Sequence, residues 1–165
     1  MANNHDAAEY YSPPRMLPIA RQKGLRGSLS LDLLTRWDFR CRAHRTLAEQ
    51  LLSALQVMFL LVCPPCTIFS DLMRLWNIRR TRADTFRAKW DEGMLYLNHN
   101  LDYCRVQLKQ KHWFVFEHPR RASSWKTPEM QEFLKLPDVV LVTFDQCAVG
   151  LVSPIHGTPY IRERN

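Results

Sequence analysis

Apolar positions along the chain form short continuous runs separated by stretches of helical spacing, the pattern of alternating strands and helices. Glu9-Tyr-Tyr-Ser-Pro-Pro14 reads as a short strand stopped by two prolines, because proline cannot donate to a ladder. Arg15 to Lys23 predicts a short helix ended by Gly24 or Gly27. Ser28 to Leu34 alternates small polar and apolar residues, as a strand ending in a carboxylate would. Asp38 to Ala54 is helical in pattern, with Leu47, Leu51, Leu52 and Leu55 on one face. Val57 to Val62 is a continuous apolar run halted by Pro64 and Pro65, as expected of a strand buried on both faces of a parallel sheet.

The same alternation continues toward the C-terminus. Thr81 to Gln110 predicts a long helix, broken or bent near Gly93. His112 to Glu117 predicts another buried strand, stopped by Pro119. Thr127 to Leu136 predicts a helix with Pro128 in its first turn, where proline is tolerated, and Val139 to Phe144 predicts one more apolar strand. The fold class that follows is α/β: a doubly wound, mostly parallel, Rossmann-like sheet in three αβα layers. Residues 1–8 read as a loose leader and 9–165 as one domain. In doubly wound sheets ligands sit beyond the carboxyl ends of the strands. Three polar motifs fall at such ends: Ser12-Pro-Pro-Arg15, Cys63-Pro-Pro-Cys66 and Glu117-His-Pro119.

Composition narrows this picture. A chain of 165 residues has room for one continuous core. Its 23 Lys and Arg against 16 Asp and Glu leave a charge of +7, which suits a polyanion such as DNA, with RNA as the alternative. The five cysteines lack a framework spacing and the N-terminus lacks an apolar stretch, so an intracellular setting, nuclear or cytoplasmic, with free thiols is expected. The longest apolar run, 51–62, is too short to span a bilayer.

Cys66 sits in a turn after a buried strand, where an ionised thiol acts as a nucleophile. The alternatives are a small buried hydrophobe, or one half of a Cys63/Cys66 redox pair or zinc site. Glu117 ends the strand Trp-Phe-Val-Phe, either as a partly buried general acid, or as a cap of the next helix or a partner of Arg120 or Arg121. Asp32 and Asp38 follow the second strand, where a carboxylate commonly takes a ribose hydroxyl or caps the next helix. Trp37 can stack on a purine or pack in the core. Arg74, Arg79, Arg80 and Arg82 form either a phosphate-gripping face or a solvated helix surface. No histidine pair has metal-ligand spacing.

Taken together, these motifs resemble the catalytic part of DNA cytosine-5 methyltransferases. That family carries a Pro-Cys nucleophile loop ending in Phe-Ser, here Pro65-Cys66-Thr-Ile-Phe69-Ser70, and a downstream strand ending in Glu. The chain is similar above all to a divergent methyltransferase-like set from protists and mobile-element-rich genomes. The shared blocks are Ser12 to Arg15, Ser30 to Phe39, Pro64 to Ser70, Glu117 to Pro119 with Ser124-Trp125, and Asp145 to Leu151. The resemblance spans roughly residues 9 to 151 and rests on order and spacing together.

It implies S-adenosylmethionine as cofactor and conjugate addition as mechanism. Cys66 attacks C6 of a flipped cytosine, Glu117 holds N3, and C5 takes the methyl group. Ser12, Pro13 and Pro14 border the methionine end of the cofactor together with Pro64, Asp32 takes the ribose, and Asp38 lies near the adenine. Arg162 and Arg164 match a Gly-x-Pro-Gln-x-Arg-x-Arg spacing as base-contacting residues, with Tyr160 in place of Gln.

Two departures stand out. The family's Phe-x-Gly-x-Gly is replaced by Tyr11-Ser-Pro-Pro-Arg15, and its Asn-Val after the glutamate by His118-Pro119. No target-recognition domain is legible, which points to a separate recognition subunit. The rival expectations are a catalytically silent nucleic-acid-binding derivative and, further off, a thiol-redox protein.

Overall fold

The computed structural model describes residues 5–70, 73 and 83–145. Arg74, Arg79, Arg80, Arg82, Arg162 and Arg164 therefore lie outside the described residues. Four strands, β1 (Ala7–Tyr10), β2 (Gly27–Leu31), β3 (Phe59–Val62) and β4 (Trp113–Phe116), pair in parallel in the order β2-β1-β3-β4. They alternate with helices α1 (Met16–Gln22), α2 (Arg42–Leu55), α3 (Ala83–Lys109) and α4 (Pro128–Phe133). The α/β Rossmann-like class expected from the hydrophobic pattern is the one observed.

Side chains alternate across each strand, and the two faces bury different helices. Ala7 packs with Leu17 and Ala20 of α1, with Met16 and Phe59 beside them. Ala8, Tyr10, Leu60 and Val62 face the larger core, which holds Leu52 of α2, Leu97 and Leu101 of α3, and Met130 and Phe133 of α4. Each fully buried leucine there contributes about 1.5–3 kcal/mol relative to exposure. Tyr10 stays in this core because its hydroxyl donates to the Ala48 carbonyl at 3.1 Å. Buried Gln107 ties the starts of β3 and β4 together, its Nε2 donating to the carbonyls of Val57 (3.0 Å) and Trp113 (2.9 Å). Chain winding reverses between β1 and β3, because β2 lies on one side of β1 and β3 on the other. That boundary is where doubly wound sheets hold their ligands.

Five expectations need correction. β1 begins at Ala7, inside the stretch expected as a leader, because Ala7 and Ala8 are small enough to lie buried between the faces. Helix α2 starts at Arg42 with Cys41 as its cap, not at Asp38, whose carboxylate is engaged by Arg40. Helix α3 runs unbroken through Gly93, which serves close packing and not a bend. β4 is buried on one side only, since Trp113 is 74% exposed and Val115 lies open beside it. Residues 139–144 form no strand, and Val140 is 80% exposed.

Candidate active site

The ladder runs one residue beyond the strands. Tyr11 N–H donates to the Leu31 carbonyl (2.9 Å), Cys63 N–H to Tyr10 (3.1 Å) and Glu117 N–H to Val62 (2.9 Å). Tyr10, Val62 and Phe116 are register partners, so the three polar motifs leave the sheet level with one another. Strand alternation fixes which way they point. Phe59 packs on the α1 side, and Trp113 is its register partner. Counting by twos, Cys63 and Glu117 emerge on that same side, as does Glu9 counted from Ala7.

Cys66 follows two prolines and opens a 3-10 turn, Thr67–Phe69. The Phe69 N–H donates to the Cys66 carbonyl (3.0 Å), and Ser70 donates to the Thr67 carbonyl through both N–H (3.2 Å) and Oγ (2.8 Å). Ile68 and Phe69 sink into the core against α3 at Gly93. A Cβ at position 93 would stand 2.5 Å from Ile68 Cγ2 and 3.1 Å from the Phe69 ring, so only glycine admits the loop this close. From the β4 side, Ser123 Oγ donates to the Phe69 carbonyl at 3.2 Å. The thiol loop is thus held from beneath and from one flank.

Electrostatics link the groups at this end of the sheet. Burial pushes the half-buried Cys66 thiol up, and the Glu117 charge adds to the rise. Cys63 is pushed up to about 12, first by burial, then by Glu117 and Glu9. Burial also raises Glu117 itself. Each shift favours the neutral form. Glu117 therefore sits within electrostatic reach of both Cys63 and Cys66, and each of the three groups is shifted toward its neutral form.

Glu9, which the sequence did not single out, is wholly buried. Its two carboxylate oxygens accept from the N–H groups of Met16 (3.1 Å) and Leu17 (3.3 Å), the first turn of α1. The signal was a lone acid inside the small and apolar run Ala7-Ala8-Glu9-Tyr10. Its carboxyl fills the place where a phosphate would meet these amides. The turn between has its own bonds. Ser12 Oγ donates to the Pro13 carbonyl and Ser30 Oγ to the Ser12 carbonyl, both at 3.1 Å. Tyr11 takes the left-handed region at φ 56°, its ring stacked on Phe39 at 4.3 Å. Pro14 and Arg15 are exposed and Pro13 is half-buried, while Pro64 of the thiol loop is buried.

His118 points to the opposite face from Glu117. Its ring lies among Phe69 (5.8 Å), Phe116 (5.7 Å) and Trp125 (5.8 Å), and neither nitrogen has a partner among the described residues. Burial lowers its pKa to about 4, so the ring is neutral near pH 7. The Trp125 Nε1–H closes this turn on the Pro119 carbonyl at 2.7 Å.

The β2 end carries the remaining proposed residues. Asp32 Oδ1 accepts from the Leu34 N–H (2.9 Å) while Thr35 Oγ1 accepts from the Asp32 N–H, a reciprocal cap of a 3-10 turn. Asp38 pairs with Arg40 through both oxygens, at 3.0 Å from Nε and 2.8 Å from a terminal nitrogen, and the pair lowers its pKa to about 2. Trp37 lies edge-on to His44 at 5.7 Å. These groups stand beyond β2, across β1 from the thiol loop. Glu117 acts electrostatically on Cys66 at this end of the sheet, while the Ser12 turn is tied to β2 through Ser30, with Asp32 and Asp38 beyond β2. No family model, curated protein or solved structure matches the chain.

Proposed function

We propose that this domain is a cytosine-5 methyltransferase core, acting on a flipped base in DNA through Cys66 and Glu117. One observation carries the reading: a thiol loop and a carboxylate of raised pKa share one end of the sheet, next to the switch point of a doubly wound fold. Conjugate addition needs this pair. The sulfur adds to C6, and a protonated acid at N3 draws charge out of the ring as the bond forms. A carboxyl whose pKa burial raises is better suited to that donation than an exposed one. Protonating Glu117 would also remove the smaller of the two causes that raise the Cys66 thiol, burial being the larger.

The cofactor fit follows from Glu9. Its carboxyl accepts from the first two α1 amides, so those donors are taken. With those amides engaged, a nucleotide polyphosphate would lack a cradle there, and a phosphate-free ligand such as S-adenosylmethionine, which would supply an electrophilic methyl group, is the better fit. Ser12, Pro13, Pro14 and Pro64 would border it near the thiol loop. Asp32 and Asp38 would meet its ribose and adenine only by loosening the cap and the Arg40 pair that engage them. The four arginines from 74 to 82, with Arg162 and Arg164, belong to the proposal through sequence alone.

The second reading is a silent nucleic-acid-binding derivative. It is favoured by the same elevation of Cys66, which leaves little thiolate at neutral pH. A redox role for Cys63 is opposed by its shift to about 12, because exchange proceeds through the thiolate. Calorimetric titration with S-adenosylmethionine at two temperatures tests the proposal: saturable binding supports it, and absence of binding at both overturns the enzyme reading.

A further inference from the structure

Cys66 and Glu117 leave the sheet from different strands, so loop contacts decide how the thiol stands against the carboxyl. The thiol loop starts with little of its own to hold it. Pro64 and Pro65 have no N–H to donate, whereas Cys63 just before them is fixed in the ladder by its bond to the Tyr10 carbonyl at 3.1 Å. The turn after Glu117 is instead closed on itself. The Pro119 carbonyl accepts from the Ala122 N–H (3.0 Å) and the Trp125 Nε1–H (2.7 Å), and Gln131 Nε2 donates to the Trp125 carbonyl (2.6 Å). This braced turn meets the thiol loop at Phe69. Ser123 Oγ donates to the Phe69 carbonyl at 3.2 Å, and the His118 ring lies edge-on to the Phe69 ring at 5.8 Å. Phe69 passes the contact on, because its N–H donates to the Cys66 carbonyl at 3.0 Å.

We infer that Ser123 is a positioning residue, whose hydroxyl clasps the thiol loop to the Glu117 turn and sets where Cys66 stands relative to Glu117. The neighbouring contacts do less. Gly93 seats Ile68 and Phe69 from beneath, but α3 does not carry Glu117. The His118 contact is between rings and tolerates sliding, while a hydrogen bond is directional. The consequence is electrostatic. After burial, the Glu117 charge is what raises the Cys66 thiol, and that influence falls with distance. A thiol loop released from Ser123 therefore drifts out of the reach of Glu117. Cys63 also feels Glu117, yet its place in the ladder does not depend on Ser123. The inference concerns the thiol and the carboxyl whatever reaction they serve.

A double-mutant cycle on the full chain, read by iodoacetamide alkylation with peptide mapping of Cys66 and Cys63, tests it. Glu117→Gln should speed Cys66 alkylation near pH 7 by a few-fold in the wild type and in Ser123→Thr, which keeps the hydroxyl. In Ser123→Ala the same substitution should give less than about half that gain. Cys63, read at alkaline pH, should respond to Glu117→Gln equally in all three backgrounds, since loss at both cysteines marks general disruption. A gain at Cys66 as large in Ser123→Ala as in the wild type overturns the inference. So does a Ser123→Thr protein that behaves like Ser123→Ala, or a Ser123→Ala protein in which Cys63 loses its response as well.

Discussion

Gly93, midway along α3, is the seat of Ile68: a Cβ at position 93 would lie 2.5 Å from Ile68 Cγ2. A residue far from the thiol in sequence therefore sets how deeply the thiol loop sinks. Gly93→Ala poses two opposed effects. Alanine gains about 1 kcal/mol in helix propensity, while forcing a methyl into a filled core costs about 1–3 kcal/mol. Ile68 is β-branched and stiff, so the clash should win. The expected outcome is a lower melting temperature with altered Cys66 alkylation. A stabilised variant with unchanged alkylation would show that the loop is not seated on Gly93.

Glu117 contributes to holding Cys66 in its thiol form. Glu117→Gln should raise the thiolate fraction and speed iodoacetamide alkylation of Cys66 near pH 7 by a few-fold. The gain stays short of the about tenfold that a full pKa unit gives, because burial is the larger cause of the shift. Peptide mapping assigns the site, and an unchanged rate would separate the two groups. The same substitution has a signed effect on stability. Because the folded-state pKa of Glu117 is raised, its favourable share is present at acid pH and lost as pH climbs through that value. Thermal melts should therefore show Glu117→Gln gaining on the wild type from acid toward neutral pH.

His118 has the opposite sign. Its folded pKa of about 4 lies below the ordinary histidine value of about 6.5, so the unfolded chain takes up the proton first. The wild type should lose stability as pH falls from about 6.5 to about 4. His118→Phe, which keeps the ring contacts and removes two unpartnered nitrogens, should lose less over that window. At pH 7 the phenylalanine variant should be as stable as the wild type or more so, by about 1–2 kcal/mol. Parallel pH–stability curves for the two proteins would contradict the buried, neutral assignment.

The parallel sheet was legible because its strands are short apolar runs ended by proline or acid, and the three end motifs do fall together at the carboxyl ends of the strands. What escaped depended on tertiary neighbours. Gly93 reads as a helix breaker until Ile68 is seen against it. Asp38 reads as a helix cap until Arg40 takes both its oxygens. Glu9 looks like an ordinary strand residue, and only the entry angle of α1 turns it into the acceptor for two amides. Residues 139–144 have the composition of a strand, yet strand formation requires a partner that composition does not supply.

The central claim, that Cys66 adds to a cytosine held by Glu117, is tested most directly by a mechanism-based trap. DNA carrying 5-fluorocytosine, incubated with the protein and S-adenosylmethionine, should yield a denaturation-resistant adduct. Peptide mapping should place that adduct on Cys66, and Cys66→Ser should abolish it. A folded, DNA-bound protein that forms no adduct, or an adduct that survives Cys66→Ser, would contradict the account.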